Sequence, residues 1–335
     1  MKLLVVISNY RITDLTIDCL RSLDGRIQKI PGSRVAVCEN GTGPEDAARL
    51  REAIPANGWQ DWVDLTVVYP NRGFTGGNNV ILREALASAD PPEYVLLLNA
   101  DTIVLDGALE GLVDFMERHP DVGIAGSTLV SAEGEVQGSP FRFISVASEF
   151  DRALRLGAVS RLLSRWRVVM PKPPAAAPVD WVSGASLILR REVLERVGLL
   201  DEGLYTYFDD VDYCLRAKKL GFSTWFVPES RIVHLEGRST GLGTGSVRRR
   251  PSYWFQARRR FFLKNHGPVY AALADAAFIL GFGLWRVRRR IQGKPDPDPP
   301  HFLSDFVRES VFVAGFRVSE VENPALAKSP SGGAS

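Results

Sequence analysis

Short apolar runs alternate along the first 130 residues with longer segments whose apolar residues recur every three or four positions. The apolar runs are "KLLVVIS", "RVAVCE", "LTVVY" and "YVLLLN". Runs of this kind are typical of strands that are buried on both faces, and the spacing in segments such as "TDLTIDCLRSL" predicts amphipathic helices. The alternation therefore predicts an α/β fold with a mostly parallel sheet flanked by helices.

Polar side chains follow each of the four predicted strands. They are Ser8, Asn9, Glu39, Asn40, Asn71, Asn99 and Asp101. In an open α/β sheet the ligand lies beyond the carboxyl ends of the strands, so residues at these positions converge on one crevice. Any one of them fits ordinary turn or helix-cap chemistry, in which Asn and Asp are common. Four polar strand ends together favour a binding site.

A glycine-rich stretch, "NRGFTGGNN", follows the third predicted strand. Gly77 and the neighbouring glycines allow close approach of the backbone, and the amides of Asn71 and Asn79 can bind sugar or phosphate oxygens. No Gly-Lys-Ser/Thr follows these glycines, and no G-x-G-x-x-G follows the first strand. The stretch is therefore neither a P-loop nor a dinucleotide-binding turn.

A divalent cation site is indicated by Asp101, which comes shortly after the apolar run that ends at Leu98. One carboxylate at such a point can hold magnesium together with substrate phosphates and several waters. An isolated Asp after a strand is more often a helix cap, so a second ligand is needed. His234, at the end of a later apolar run, is the candidate, although an isolated His is more often structural.

Three aspartates, Asp209, Asp210 and Asp212, occur within four positions of the stretch "YFDDVDYCLRA". Like charges beside apolar surface destabilise a chain unless a cation, a substrate or a proton uses them. A helix that begins here accounts for one or two of them, because acidic residues favour helix N-termini. The remaining charge and the neighbouring rings indicate a ligand site. Those rings belong to Tyr205, Tyr207, Phe208 and Tyr213.

Six motifs occur in the same order as in the family 2 inverting glycosyltransferases, and the sequence resembles their rhamnosyltransferase-like branch in particular. The motifs are "SNY", "CENGTG", "NRGFTGGNN", "LLNADT", the block from Trp181 to Gly221, and "HLEGRST". The resemblance covers about residues 1–240, and residues 181–221 are its most specific part. It implies a glycosyltransferase A-type fold with a mostly parallel nucleotide-binding sheet, and the pattern after residue 245 adds a C-terminal helical extension.

The resemblance implies that Asp210 is the catalytic base, which takes the proton of the acceptor hydroxyl as that oxygen attacks the anomeric carbon. A positioned carboxylate accelerates such a step by about 10²–10⁴-fold. The residues implied to bind the acceptor are Asp209, Asp212, Trp181 and Tyr207. The two additional aspartates could instead hold basic groups such as Arg216.

The resemblance also implies a nucleoside-diphosphate sugar as the donor. The implied donor-binding residues are Ser8, Asn9, Tyr10, Glu39, Asn71, Gly77, Asn79, Asn99 and Asp101. Glu39 matches the position that reads the nucleobase, and it could accept from the N3–H of thymine or uracil, which favours a dTDP-sugar and then a UDP-sugar. Asp101 and His234 match ligands of Mg²⁺ or Mn²⁺. Asn99 stands where the family often has Asp, which leaves fewer carboxylates on the metal.

The implied reaction transfers a deoxyhexose such as rhamnose to a saccharide or a lipid-linked saccharide in cell-surface polysaccharide synthesis. Two other functions remain open from the residues alone. A sugar-phosphate nucleotidyltransferase shares the sheet and the acidic metal site, but "SNYRITD" is not its glycine-rich basic signature. A non-catalytic basic adaptor that binds membrane or nucleic acid has no need of Asp210.

Composition limits the setting of this function. The 335 residues suit about two domains, or one large α/β domain with an extension, and the net charge of +2 indicates no general affinity for nucleic acid. The cysteines, Cys19, Cys38 and Cys214, are widely spaced among apolar residues, which fits a reducing cytosol and predicts neither disulfides nor a zinc site. The N-terminal apolar stretch is short for a signal peptide and is typical of a strand.

The segment after residue 245 is basic and aromatic. Seven residues between Arg248 and Lys264 are basic and none is acidic, and five more basic residues lie between Arg286 and Lys294. The apolar stretch between these groups predicts a helix that lies in an anionic membrane surface. Spanning the bilayer is disfavoured because Asp275 would cost about 2.5–3.5 kcal/mol there; a helix packed on the catalytic domain is the alternative. The aromatic residues expected to enter lipid are Trp254, Phe261, Phe262, Phe278, Phe282 and Trp285.

These patterns predict a division of the chain into three parts. Residues 1–245 form the catalytic domain, with a nucleotide-sugar half at 1–130 and an acceptor half at 131–245. Residues 246–320 form the membrane-associating extension, and residues 321–335 form a disordered tail. The protein is therefore expected on the cytoplasmic face of the cell membrane as a peripheral protein.

Overall fold

The computed structural model describes residues 1–137, 140–235, 248–321 and 323. The strands within these residues are β1 (Leu3–Asn9), β2 (Arg34–Asn40), β3 (Val63–Val68), β4 (Tyr94–Asn99), β5 (Thr102–Val104), β6 (Val122–Val130), β7 (Ala177–Val179), β8 (Ser186–Arg190) and β9 (Ser223–His234). The α-helices are α1 (Thr13–Leu23), α2 (Pro44–Ala56), α3 (Gly73–Ala87), α4 (Ala108–Arg118), α5 (Val146–Leu154), α6 (Gly157–Leu162), α7 (Arg191–Val197), α8 (Asp209–Lys219), α9 (Ser252–Ile291), α10 (Phe302–Glu309) and α11 (Val311–Ala314).

All nine strands belong to one mixed sheet with the order β3-β2-β1-β4-β8-β6-β9-β5, and β7 pairs with β9. The first four strands are parallel, as is the pair β6 and β9. Strand β8 runs antiparallel to β4 and β6, and β9 runs antiparallel to β5 and β7. The α/β fold is confirmed, but parallel pairing dominates only in its first half. Strand direction could not be predicted because a buried run is apolar in either direction.

Both faces of the sheet are covered by helices, which explains why β1 is apolar at successive positions. Leu3, Val5 and Ile7 pack into a cluster with α1, α2 and α4. Leu4 and Val6 point to the other face and pack with α3, α7 and α8. Full burial of one such side chain stabilises the fold by about 1.5–3 kcal/mol. These two layers hold the carboxyl ends of β1, β2 and β4 in fixed positions.

The C-terminal extension consists mainly of α9, which changes direction at Gly267, where φ is 81° and ψ is 176°. Pro268 follows, at the position of a helix start where its missing N–H has no cost. The part of α9 before the break packs on α8, with Phe261 and Phe262 against Val211. The part after the break packs on α5 and α10. The extension is therefore packed on the catalytic part of the chain.

The expectation that six aromatic residues of the extension enter lipid is wrong. Five of them are buried in the protein and Trp254 is partly buried. Phe278, for example, stacks on Phe306 of α10 with ring centres 4.2 Å apart. Apolar periodicity shows that one helix face is buried, but it does not show whether protein or lipid covers that face. The prediction therefore assigned to lipid a set of aromatic rings that pack inside the protein.

Asp275 is also buried in protein. Arg258 donates to Glu149 Oε2 from Nε at 2.8 Å and from Nη2 at 2.6 Å, and it forms an ion pair with Asp275. The backbone N–H of Val311 donates to the other oxygen of Asp275 at 2.8 Å. Burial alone would raise the pKa of Glu149, but Arg152 and Arg258 hold it below its ordinary value. This buried ion cluster joins α5, both parts of α9 and α11.

Residue 245, the predicted end of the catalytic domain, lies outside the described residues, and so do residues 324–335 of the predicted tail. Val321, within the stretch predicted to be disordered, is buried, and its N–H donates to the carbonyl of Gly203 at 2.8 Å. Asn323 Nδ2 donates to the carbonyl of Asn71 at 2.8 Å. The chain is thus packed on the catalytic part at both residues.

Candidate active site

A cavity of about 1220 Å³ opens at the carboxyl ends of β1, β2 and β4 and beside the N-terminus of α8. The predicted site residues that line this cavity are Ser8, Tyr10, Asn71, Asn99, Asp101, Trp181, Tyr207, Asp209, Asp210 and His234. Those outside its lining are Asn9, Glu39, Gly77, Asn79 and Asp212. One cavity therefore brings together most of the predicted donor, metal and acceptor residues.

Asp210 lies in the first turn of α8, beside the cavity. Its Oδ2 accepts a hydrogen bond from the N–H of Gly184 at 3.2 Å, and its Oδ1 accepts from the N–H of Val211 at 2.8 Å. Burial raises the pKa of Asp210, and these backbone donors partly oppose that effect. The side chain is therefore a fixed carboxylate of increased basicity that still reaches the cavity.

Asp209 precedes Asp210 in the same turn and is more deeply buried. Burial, and then the negative charge of Asp210, raise the pKa of Asp209 well above its ordinary value. Because the two carboxyl groups are neighbours, the charge on one opposes ionisation of the other, so the pair holds one proton to higher pH. The pair can present one carboxylate and one carboxyl group to a ligand.

The residues that precede α8 have an unusual backbone. Tyr205, Tyr207 and Phe208 have φ values of 60°, 68° and 60°, in the left-handed region that non-glycine residues rarely adopt. Each such residue costs about 1–3 kcal/mol, and it persists only where its surroundings fix it. Tyr207 is fixed by Tyr253 of α9, with stacked rings 6.0 Å apart. A Cβ at Gly73 would lie 2.3 Å from the carbonyl oxygen of Tyr205, so glycine is needed there.

Asp101 and His234 lie side by side at the cavity, with Oδ1 and Nε2 3.4 Å apart. The pairing of β5 with β9, in which Thr102 is opposite His234, fixes this arrangement. Asn99 Nδ2 is 3.2 Å from the same ring nitrogen, and His234 Nδ1 is buried without a hydrogen-bond partner among the described residues. A carboxylate and an imidazole nitrogen suit a divalent cation that keeps open positions. The described residues contain no cluster of three or more acidic, His or Cys ligands.

Ser8, Tyr10 and Asn71 line the cavity at the ends of β1 and after β3. Asn71 Oδ1 accepts from the N–H of Gly73 at 2.6 Å, which fixes the turn into α3. The guanidinium of Arg11 also lines this part, 5.0 Å from the ring centre of Tyr10. This part of the cavity therefore combines a positive charge with hydroxyl and amide groups.

Asn9 and Glu39 are fully buried and bind each other, with Asn9 Nδ2 2.7 Å from Glu39 Oε2. The N–H of Thr42 donates to Glu39 Oε1 at 2.6 Å, and its hydroxyl donates to Oε2 at 3.1 Å. The N–H of Gly43 adds a further donor at 3.3 Å. The Glu39 carboxylate thus holds the turn after β2, and its oxygens face the protein, not the cavity.

Gly77 and Asn79 serve the packing of α3. A Cβ at Gly77 would lie 2.6 Å from Asn40 Nδ2 and 2.7 Å from Ser8 Oγ. Asn79 Nδ2 donates to the carbonyl of Leu200 at 2.9 Å, and the N–H of Leu200 donates back to Asn79 Oδ1 at 3.1 Å. The glycine-rich stretch therefore brings α3 close to the strand ends, as close backbone approach predicts, while Asn79 lies outside the cavity lining.

Asp212 does not reach the cavity because its carboxylate is fully buried between α8 and α9. Arg216 Nε donates to it at 2.9 Å, Lys264 Nζ at 2.8 Å and Asn265 Nδ2 at 2.7 Å. The alternative role for this aspartate, holding Arg216, is the one that its contacts support. Of the three clustered aspartates, two face the cavity and one joins the extension to the catalytic part.

Several cavity residues were not predicted from the sequence to line the site. They are Arg11, Tyr69, Arg250, Tyr253 and Trp254, the last of which was expected to enter lipid. Arg11 directly follows the predicted strand-end residues, so its position was a usable signal. Arg250, Tyr253 and Trp254 come from the extension, about 40 residues beyond Asp210, and no local pattern links them to the cavity. The extension therefore contributes one wall of the candidate site.

The fold is the A-type fold of glycosyltransferases. The family model described as "Glycosyltransferase like family 2" matches residues 2–262, which is most of the chain. The chain therefore belongs to this family, and its resemblance to the rhamnosyltransferase-like branch is confirmed by the relatives it matches.

Two curated relatives illustrate this branch. The N-acetylglucosaminyl-diphospho-decaprenol L-rhamnosyltransferase of Mycobacterium tuberculosis H37Rv is 28% identical over 178 residues, covering 50% of this chain and 56% of the relative. The dTDP-rhamnosyl transferase RfbF of Shigella flexneri is 22% identical over 227 residues, covering 65% and 69%. The chain thus matches only part of each relative's length.

A solved structure supports the fold. The crystal structure of GalNAc-T7 with UDP, GalNAc and Mn²⁺ superposes with a TM-score of 0.60 at 15% identity, covering 94% of this chain and 59% of that chain. At this identity the likeness shows the fold alone. The A-type fold expected from the sequence is confirmed.

Proposed function

We propose that this chain is an inverting glycosyltransferase that moves a hexosyl group, with rhamnose as the favoured sugar, from a nucleoside diphosphate to a saccharide or lipid-linked saccharide. The reaction would contribute to a cell-surface polysaccharide on the cytoplasmic face of the membrane. The observation that supports it most is Asp210, a fixed carboxylate of raised pKa in the same cavity as Asp101 and His234. The rhamnosyltransferase relatives support the choice of sugar.

The proposed mechanism begins with the acceptor hydroxyl beside Asp210. Asp210 takes the hydroxyl proton while the oxygen forms a bond to the anomeric carbon of the donor. The bond from that carbon to the diphosphate oxygen breaks, and the leaving nucleoside diphosphate keeps the electron pair. Attack from the side opposite the leaving group inverts the anomeric configuration. The Gly184 N–H bond holds the carboxylate in place, and Tyr207 and Trp181 provide apolar surface for the sugar rings.

The donor we propose is a dTDP-sugar, with a UDP-sugar as the second choice. The name of the Shigella flexneri relative supports dTDP. Glu39 does not support a choice of nucleobase, because its carboxylate oxygens accept hydrogen bonds from the Asn9 amide and from the turn at Thr42. Ser8, Tyr10 and Arg11 are the residues available to the nucleotide at the strand ends. A thermal-shift comparison of dTDP- and UDP-sugars separates the two choices, because a ligand of the folded state raises its stability.

Asp101 and His234 are the residues proposed to hold a divalent cation, Mg²⁺ or Mn²⁺. Such a cation neutralises the charge that develops on a diphosphate leaving group. The strand pairing holds the two side chains together before any ion binds. Asn99 lies beside His234 and contributes an amide in place of a carboxylate, so of the described residues at this point only Asp101 supplies a negative charge.

Replacement of the base tests the proposed function. Asp210→Asn is expected to lower kcat by about 10²–10⁴-fold, because an amide cannot take the acceptor proton. Donor binding, measured by calorimetry, is expected to stay unchanged, since the carboxylate is needed only in the transition state. The exposed Asp61→Asn is the matched control. Wild-type turnover in Asp210→Asn would rule out this base.

Replacement of the metal ligands tests the proposed cation site. Asp101→Asn and His234→Gln are each expected to weaken Mn²⁺-dependent binding of dTDP or UDP by at least about tenfold, the scale typical of damage to a metal site. Binding in the presence of EDTA should be equal in all variants. His301→Gln, an exposed position in the extension, is the control. If both ligand variants respond to Mn²⁺ as the wild type does, the cation is held elsewhere or is not used.

A further inference from the structure

The part of α9 that follows Gly267 exposes an apolar stripe. Its members are Val269, Leu273, Leu280, Leu284, Val287 and Ile291. They recur at intervals of four, seven, four, three and four residues, which places them on one face of a helix. Their exposed fractions run from 48% at Leu284 to 81% at Ile291. The stripe extends along about 33 Å of helix at 1.5 Å per residue.

The face of α9 opposite this stripe is buried. Phe278 and Phe282 pack against Ala153 of α5 and against α10, and a Cβ at Gly281 would lie 2.8 Å from the carbonyl oxygen of Phe150. By length and composition α9 could cross a membrane, and a third of its most apolar window is buried in the protein. A spanning helix would have to leave α5 and the buried ion cluster. The stripe is therefore a surface apolar face on a helix anchored in the protein.

The surroundings of the stripe are basic. Asp296 binds Arg286 and Arg289, which leaves Arg288, Arg290 and Lys294 without an acidic partner among the described residues. Arg288 donates to the carbonyl oxygens of Leu154 and Arg155, and its guanidinium lies 5.2 Å from the ring centre of Trp285. Residues 155–167 include α6 and begin at Arg155, which contacts α9 and pairs with Asp298; they contain three further arginines, no acidic residue and the exposed Leu162. Apolar and cationic groups are thus adjacent at this end of the molecule.

We propose that the stripe of α9 is a docking face for an anionic lipid surface, with the helix lying in the interface and not across it. Apolar side chains with flanking arginines suit such a surface, because the chains enter the acyl boundary while the cations meet headgroup phosphates. A second copy of this chain is a poorer occupant. In a symmetric pair the same basic groups would face one another without acidic partners. This inference does not depend on the proposed catalytic residues.

Vesicle co-sedimentation of the full chain tests the docking face. The wild type is expected to bind phosphatidylcholine vesicles that contain phosphatidylglycerol and to bind pure phosphatidylcholine poorly. Replacing Leu280, Leu284 and Val287 together by Ser should lower the partition coefficient by at least about tenfold, because three apolar side chains are lost from the interface. The matched control replaces three exposed apolar residues elsewhere by Ser. They are Val136, Val169 and Leu220.

A second set of variants tests the contribution of the basic side chains. Arg290→Gln with Lys294→Gln should lower binding to anionic vesicles by about fivefold for each charge removed, and more salt should do the same. Arg51→Gln with Lys172→Gln, at exposed positions outside the extension, is the control. Transfer to a water-soluble acceptor should be unchanged in all these variants.

Three results would overturn the docking face: equal binding to neutral and anionic vesicles, wild-type binding by the triple serine variant, or a concentration-dependent dimer that this variant abolishes. The last result would assign the stripe to a second copy of the chain. Vesicle binding by a wild type that transfers no sugar would leave the docking face intact and remove the proposed function. The two proposals therefore fail separately.

Discussion

Two neighbouring carboxyl groups, Asp209 and Asp210, share the first turn of α8 but differ in their surroundings. Asp210 accepts backbone hydrogen bonds from Gly184 and Val211, and these favour its charged form. Burial and the charge of Asp210 raise the pKa of Asp209. Groups whose pKa values are separated by their environment can take different roles in acid–base chemistry. The backbone hydrogen bonds to its carboxylate therefore favour Asp210 as the base, with Asp209 beside it as an acceptor-binding group.

This difference predicts the pH dependence of the reaction. Because burial raises the pKa of Asp210, kcat/KM should fall as the pH drops through a value above the ordinary carboxyl value of about 3.9, with a slope of one on a logarithmic plot. The raised pKa also means that the native state binds the proton more tightly than the unfolded chain, so this group does not weaken folding as the pH falls. The profile should be measured with donor binding followed over the same range.

Asp209→Asn provides the matched control for this profile. It removes the second titrating group and should leave one acidic limb with unit slope. An acidic limb at or below the ordinary carboxyl value, or one that disappears in Asp209→Asn, would contradict the assignment of Asp210 as the base.

At the scale of elements, the sequence indicated a helix that begins at the three aspartates, and α8 begins there because local rules suffice. An acidic first turn, aromatic residues before it and glycines at close approaches are all local signals, and they predicted a ligand site at this helix. The role of Asp212 was not local, since Lys264 and Asn265 come from α9. A carboxylate at a helix start has the same appearance in sequence whether it faces a ligand or an ion pair.

The same limit applies to strands and to the extension. The apolar runs predicted β1 to β4 and the crevice at their ends, but they did not reveal the antiparallel direction of β8. Asn9 and Glu39 lie at the carboxyl ends of β1 and β2, as ligand residues do, yet they bind each other, because a polar pair can satisfy its own hydrogen bonds there. The aromatic face of α9 was correctly predicted to be covered and wrongly assigned to lipid. Apolar periodicity shows which face of a helix is buried, and only the tertiary structure shows what packs against that face.

At the scale of the whole molecule, the extension and the catalytic part share their core. Phe261 and Phe262 pack against α8, and Tyr253 and Trp254 form part of the cavity. Arg260 and Lys264 bind Asp201, whose pKa burial would raise but these two cations hold at about 2. Since the contacts cross the predicted boundary at residue 245, we expect the two parts to behave as one folding unit.

Urea unfolding followed by hydrogen exchange tests this expectation. Peptides from β1 to β4 and peptides from α9 should lose protection in a single transition at the same urea concentration. Arg258→Ala should lower the free energy of unfolding of both regions together by about 3–5 kcal/mol, because it leaves Glu149 and Asp275 buried without their cation. Arg196→Ala, which removes an exposed pair with Glu192, should cost less than about 1 kcal/mol. Loss of protection in α9 alone would show that the extension is a separate unit, and the cavity wall that it supplies would then be present only while it is docked.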